Sequence, residues 1–392
     1  MIGTYQTFRS LERERYVSPA WFEREMSAIH GRCWLYGCHL SEIPGPGSFV
    51  LRAVPPNESI IIVHGSDGKV RALFNVCRHR GSRICDDVAG TVGRLRCPYH
   101  NWTYGLDGTL LVAPQARDGD NFSYFDYGLD QAHVEVWKGH VFINLGPGTP
   151  EALAPRLGAA APDLEAFQPT RHKVAARRTY SIAANWKLVM ENFWECYHCP
   201  TGHREFCFAA DVAGLNESDF GDLAGPGEEV PLVIEGPLPL KPGMRTLSVD
   251  GAPVCNRALG DFHRDPDANS RAATTGFLLR HCTAATYFED HAFILDFQPI
   301  DVARTDLVTR WLVHEDAIEG RDYEVERLIE VFDITNRQDV ALSERNQAGV
   351  RSSHYRPGPN SMANEAGVHE FLRFCEQRLA AAAEADAGHG AI

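Results

Sequence analysis

Two groups of side chains in this 392-residue chain have the types and spacing of metal ligands. The first is Cys77-Arg78-His79, followed after seventeen residues by Cys97-Pro98-Tyr99-His100. Thiolate sulfur and imidazole nitrogen suit a tetrahedral site of mixed softness, so on residue type alone zinc and an iron–sulfur cluster both stand open. The second is the pair His198 and His203, five apart in Glu195-Cys196-Tyr197-His198-Cys199-Pro200-Thr201-Gly202-His203. Two imidazoles there require a third ligand from a distant part of the chain. A carboxylate would complete the set that leaves one side of a non-haem iron open to oxygen and substrate. Asp333, Asp339 and Glu344, all on one late segment, are the candidates. Cys196 and Cys199 flank His198 as a Cys-x-x-Cys that zinc would accept. A thiolate would occupy a position that oxygen chemistry needs open, so they are expected to be unpaired core thiols.

The elements that must position these groups fall into an α+β pattern. Phe22, Met26 and Ile29 share one helical face over Ser18–His30, after a Ser-Pro start suited to N-cap and N1. From Gly47 to about Gly146 short β-rich runs follow, among them Ser59–His64, Val70–Phe74 and Val134–Leu145, split by turn signals such as Gly65-Ser66-Asp67-Gly68. Gly146-Pro147-Gly148-Thr149-Pro150 reads as a linker. Beyond it, Asn185–Glu195 and Glu319–Asn346 have helical periodicity, Thr283–Pro299 and Asp306–His314 read as strands, and Ala224–Gly243 reads as a Gly/Pro-rich loop. The expected domains are therefore 1–46, an N-terminal helical part of a catalytic domain; 47–150, a small antiparallel β domain inserted in it; and 151–392, a helix-flanked catalytic domain.

The first metal group is decided by its spacing. Paired ligands separated by one residue, then by two, on two loops of a β domain are the pattern of a Rieske [2Fe-2S] centre, with Cys on one iron and His on the other. Neutral imidazoles lower the negative charge of such a cluster, raising its potential to roughly −150 to +300 mV and fitting it to pass single electrons. Asn75–Gly108, Asn185–His203 and Thr335–Pro359 together resemble Rieske oxygenase alpha subunits over nearly the whole chain. One departure is Asn101, where many relatives carry Gly, and Asn tolerates left-handed backbone.

The resemblance implies an antiparallel-sheet catalytic domain with a mononuclear Fe(II) held by His198, His203 and Asp339, the last at the position of the family's distal Asp. It also implies a homotrimer in which an acidic residue, here Glu195, couples the iron His to the cluster His of a neighbouring subunit. Ring-hydroxylating dioxygenases usually place Asp there. Glu in Glu-Cys-Tyr-His-Cys-Pro is similar to the subgroup acting on quaternary ammonium compounds such as glycine betaine, carnitine and stachydrine. The expected reaction is hydroxylation of an N-methyl group using O2 and electrons from a separate NAD(P)H-dependent reductase. An aromatic-ring dioxygenase, an aryl-ether O-demethylase, and a Rieske electron carrier without catalysis are the alternatives. Phe206, Phe208, Tyr287, Phe288 and Phe293 are candidate aromatic faces for a cationic substrate.

Composition narrows the partners. A net charge of −14 and the lack of clustered basic residues argue against nucleic acid. No apolar run reaches membrane-spanning length and no signal peptide is seen, so a cytoplasmic, soluble protein is expected. Eleven Cys, an odd number, suggest reduced thiols, with Cys33, Cys38, Cys85, Cys207, Cys255, Cys282 and Cys375 read as core residues.

Overall fold

The computed structural model describes residues 7–114, 116, 122–212, 224–225, 227–260 and 273–389. The chain divides into two compact units: His30–Ala154, and a larger one made of Met1–Ile29 and Pro155–Ile392. The smaller is thus an insertion in the larger.

In the smaller unit the described strands form a seven-stranded antiparallel sheet. Its order is Leu35–His39, His140–Asn144, Gln131–Trp137, Val70–Phe74, Glu58–His64, Ser48–Val54 and Ala89–Thr91. The run Ile60-Ile61-Ile62-Val63 is buried on both faces, which makes its strand a central one. A three-stranded sheet of Leu95–Arg96, Thr103–Tyr104 and Leu110–Val112 lies in the same unit. Ile61, Val63, Leu73, Trp102 and Tyr104 share one hydrophobic core with Cys77 and Cys97. The run Val134–Leu145 is a hairpin rather than one strand. It reverses at Lys138 and Gly139, both with positive φ (48° and 88°). Two left-handed residues in succession usually announce themselves as Asn-Gly or Asp-Gly, and Lys at the first position hides the turn.

The larger unit is built on a six-stranded antiparallel sheet in the order His172–Ile182, Arg304–His314, Ala292–Asp301, Thr283–Tyr287, Thr275–Leu279 and Val233–Glu235. Thr283–Pro299 also turns back on itself, closed by Phe288 N–H donating to His291 O at 2.8 Å. The loop expected over 224–243, described except for position 226, contributes the edge strand. The N-terminal helix runs Pro19–Glu25 and continues as a π-helical turn over Met26–His30, with Ser18 as N-cap.

Two helices carry the chemistry. Helix Trp186–Phe193 begins at Asn185, whose Oδ1 accepts Lys187 N–H at 3.0 Å as an N-cap. The long helix runs Val325–Val350, starting later than its periodicity suggests because Gly320, at φ 79°, sits in a tight turn bridged between Glu319 and Tyr323. Asn185 N–H donates to Gln347 Oε1 at 2.7 Å, fastening the start of one helix to the end of the other.

A buried ion pair anchors the first of these helices. Lys187 Nζ lies 2.5 Å from Glu25 Oε2, both side chains 0% exposed, and Trp186 Nε1 donates to the same oxygen at 3.1 Å. Burial pulls the Lys187 pKa down, against the attraction of Glu25. Removing Lys187 leaves the buried Glu25 with only Arg15 Nη2, at 3.5 Å, as a cationic partner among the described residues, so Lys187→Met is expected to cost about 3–5 kcal/mol. Urea unfolding should show this loss, and Glu25→Leu combined with Lys187→Met should recover most of it. Near-zero loss in the single variant would mean the pair is not charged.

Candidate metal centres

In the smaller unit the first loop, 76–85, hangs from Asn75, which is buried. Its Oδ1 accepts N–H from Ile84 (2.9 Å) and Cys85 (3.0 Å), and its Nδ2 donates to Cys85 O at 2.7 Å. The second loop, 98–102, turns at Asn101, whose φ of 61° is the left-handed geometry a Gly would otherwise supply. Arg96 Nε donates to its side chain at 3.0 Å.

The two loops carry the four candidate ligands, and the two chemistries differ in exposure. Cys77 and Cys97 are buried, His79 is exposed, and His100 is partly so. The two imidazoles have ring centroids 4.7 Å apart, and Trp102 stacks on His79 at 4.9 Å. Tyr104 was not anticipated. Its hydroxyl accepts Arg78 N–H at 3.1 Å and so is free to donate to Cys77 Sγ, 3.2 Å away. A hydrogen bond to a cluster sulfur favours the more negative, reduced state. Tyr104→Phe should therefore lower the cluster potential in a redox titration followed by electron paramagnetic resonance.

In the larger unit, His198 N-caps the short helix Cys199–Gly202 and His203 caps its other end. The turn places His198 Nε2 and His203 Nε2 3.0 Å apart. Asp339 Oδ1, reaching in from the long helix, lies 3.3 Å from the first and 2.9 Å from the second. The competing carboxylates are committed elsewhere: Asp333 to Tyr180 (2.7 Å) and Arg337 (2.8 Å), Glu344 to Ala183 N–H (3.0 Å).

The outer nitrogens of both rings are held by acceptors. His198 Nδ1 is 2.5 Å from Glu195 Oε1, and His203 Nδ1 is 2.7 Å from Gln338 Oε1. With each Nδ1–H donating outward, each Nε2 presents a lone pair inward, and Asp339 Oδ1 is buried with no hydrogen-bond partner. Three acceptors thus face one point. Cis donors about 2.1 Å from a first-row metal lie roughly 3.0 Å apart, so the triangle fits one face of a six-coordinate divalent ion. Without a metal a proton is the substitute. Burial opposes charge on His198, but the carboxylates of Asp339 and Glu195 outweigh it and hold its pKa up at about 9.

Cys196 and Cys199, expected as unpaired thiols, are joined in a disulfide. Their Cα atoms are 4.9 Å apart, within the span a disulfide bridges, because the chain folds into a turn at His198. Both sulfurs are thereby removed from any ligand set. The other nine Cys are not disulfide-bonded; of those read as core residues, Cys85 and Cys207 are only partly buried.

A cavity of about 1080 Å³, measured out to its open mouth, adjoins the three acceptors and is lined mainly by apolar side chains. Phe206 and Phe293 line it as anticipated. Phe208 is 50% exposed, while Tyr287 and Phe288 are buried away from it. Phe193, Phe297 and Phe332, which were not singled out, complete the aromatic lining.

Comparison with known proteins places both units. Residues 33–125 match the Rieske [2Fe-2S] domain, and residues 169–381 match the ring-hydroxylating alpha subunit catalytic domain. The chain belongs to the Rieske non-haem iron oxygenases. It is 36% identical to the glycine betaine monooxygenase oxygenase subunit of Pseudomonas aeruginosa, over 94% of this chain and 89% of that one. It is 29% identical to the carnitine monooxygenase oxygenase subunit of Escherichia coli, over 90% and 87%. A solved quaternary ammonium Rieske monooxygenase shares the fold with a TM-score of 0.73 at 23% identity, covering 95% of this chain and 96% of the other. Naphthalene 1,2-dioxygenase from Rhodococcus sp. does so at 0.69 and 20%, covering 94% of each. As a Rieske oxygenase the chain carries a [2Fe-2S] cluster and a mononuclear iron, and the matched catalytic domain removes the electron-carrier alternative. No helix among the described residues is long and apolar enough to cross a membrane.

Gln338 is a further residue that sequence reasoning missed. It precedes Asp339, and its Nε2 lies 3.4 Å from Glu205 Oε2, which orients the amide so that its oxygen meets His203. Partners of this kind fix the ring tautomer and typically change metal affinity by about 10–100-fold when removed. Gln338→Ala should weaken iron binding by about that factor in a chelator competition while the visible spectrum of the cluster stays unchanged. Unaltered affinity would show that the amide does not act on the metal.

Proposed function

We propose that this Rieske oxygenase hydroxylates an N-methyl group of a quaternary ammonium substrate, using O2 and electrons from a separate NAD(P)H-dependent reductase in the cytoplasm. The observation that carries the oxygenase chemistry is the convergence of His198 Nε2, His203 Nε2 and Asp339 Oδ1 beside an aromatic-lined cavity. Support for the substrate class comes from relatives named for glycine betaine and carnitine, and from Glu at position 195. The likeness to naphthalene dioxygenase is one of fold and does not argue for a ring substrate.

In this reading Cys77 and Cys97 hold one iron of the cluster, His79 and His100 hold the other, and His198, His203 and Asp339 hold the mononuclear iron. When bound, that iron supplies the open positions at which O2 is activated. Two electrons, two protons and O2 convert one N-methyl group of the quaternary ammonium to an N-hydroxymethyl group, with water as the other product. This carbinolamine then releases formaldehyde, a proton and the tertiary amine. Glu195 accepts a hydrogen bond from His198 Nδ1–H and keeps Nε2 facing inward. In the proposed homotrimer the same carboxylate couples His198 to the cluster of a neighbouring subunit. The aromatic lining offers ring faces to the ammonium, and its apolar character keeps water from the reacting carbon.

The purified protein should hold about three irons per chain. Glu195→Ala should retain the Rieske absorbance and lose turnover, measured as formaldehyde release. Full activity in that variant would exclude the coupling role, and a zinc-filled protein would exclude the chemistry altogether.

A further inference from the structure

The cavity beside the three acceptors holds polar groups as well as apolar ones, and its hydroxyl donors are engaged within the protein, which leaves neutral amides as its remaining side-chain donors. Thr286 Oγ1 donates to Gly236 O at 3.0 Å and Thr335 Oγ1 to Val331 O at 2.8 Å. Asn336 Nδ2 gives one of its two hydrogens to Thr309 Oγ1 at 3.1 Å, while Asn192 Nδ2, 3.3 Å from the metal-facing His198 Nε2, remains a neutral amide donor at the edge of the site. Gly236 N–H closes onto Gly276 O at 3.0 Å. The charged side chains among the described lining residues, apart from the two imidazoles, are the carboxylates of Glu195, Glu235 and Asp339. No Lys or Arg is present among those residues.

This lining treats the two ends of a betaine differently. Phe206, Phe293 and Phe332 gather three rings at different tilts: Phe293 and Phe332 have centroids 3.9 Å apart at 49°, and Phe206 and Phe332 6.1 Å apart at 68°. Ring faces at several angles are what a methylated ammonium, which offers no N–H, can use. A carboxylate brought into the same space would lose its water and, apart from the metal itself, would find neutral amides, apolar walls and other carboxylates among the described lining residues, with no Lys or Arg to pair with. Burying an anion without a partner is strongly unfavourable, whereas hydrocarbon against Leu278, Leu295 and Leu307 gains from leaving water.

We infer that the substrate is an N-methylated ammonium cation whose remaining substituent is an uncharged alkyl or aryl group, in place of the carboxylate that glycine betaine and carnitine carry. The inference rests on the N-demethylation reading above and narrows it.

The test uses the full-length protein loaded with cluster and iron, with a competent reductase. Formaldehyde release is compared for hexyltrimethylammonium, benzyltrimethylammonium, glycine betaine and L-carnitine, and binding of each is measured by calorimetry without O2. The expected result is a kcat/KM at least about tenfold higher, and a Kd correspondingly lower, for the alkyl or aryl cations. Equal or better turnover of glycine betaine or carnitine overturns the inference and leaves N-demethylation standing. Failure of all four to bind or release formaldehyde, in protein with full iron content, overturns both.

Discussion

Three lone pairs aimed at one point repel one another, and much of the larger unit exists to keep them there. His198 and His203 are brought close by a turn of only a few residues, but Asp339 arrives from a helix more than a hundred residues later. The arrangement is stable only with a cation or a proton at its centre. The scaffold must therefore supply, in advance, the cost of holding ligands in positions that an empty site would disfavour. Asn185 does part of this by joining the two helices end to end. The buried Lys187–Glu25 pair does another part by fixing the rotation of the helix that leads into His198.

The cluster-binding unit meets its own constraint in the opposite way. Its cysteines belong to a continuous apolar core, and its histidines look outward from it. In the proposed assignment the thiolates are shielded from water and the imidazoles lie nearer the surface, the side from which an electron would leave. Tyr104 adds a single hydrogen bond on the buried side, where it acts on a cluster sulfur without closing that exit.

Candidate ligands stand out in the sequence where they are neighbours. Cys77 to His79, Cys97 to His100 and His198 to His203 are local patterns, and local spacing is what a linear reading sees. Asp339 needed the family resemblance, because Asp333 and Glu344 look equivalent until Tyr180, Arg337 and the Ala183 amide claim them. Gln338 and Tyr104 left no mark, since each acts through a contact with a ring or sulfur far along the chain. The merged strands have a simpler cause: the reversals at Lys138-Gly139 and at 288–291 lack the Asn-Gly or Asp-Gly pair that usually marks a hairpin. The Cys196–Cys199 disulfide escaped because cysteine counting speaks to compartment and not to how a turn brings two Cα atoms together.

Asp339 and Gln338 are consecutive on one helix, yet they grip His203 at opposite edges, one at Nε2 and the other at Nδ1. The helix works as a pair of calipers on a single imidazole. Advancing it by one residue, about 1.5 Å, would open both jaws together. A movement of this helix would therefore act on the ring's proton and on its lone pair in one step.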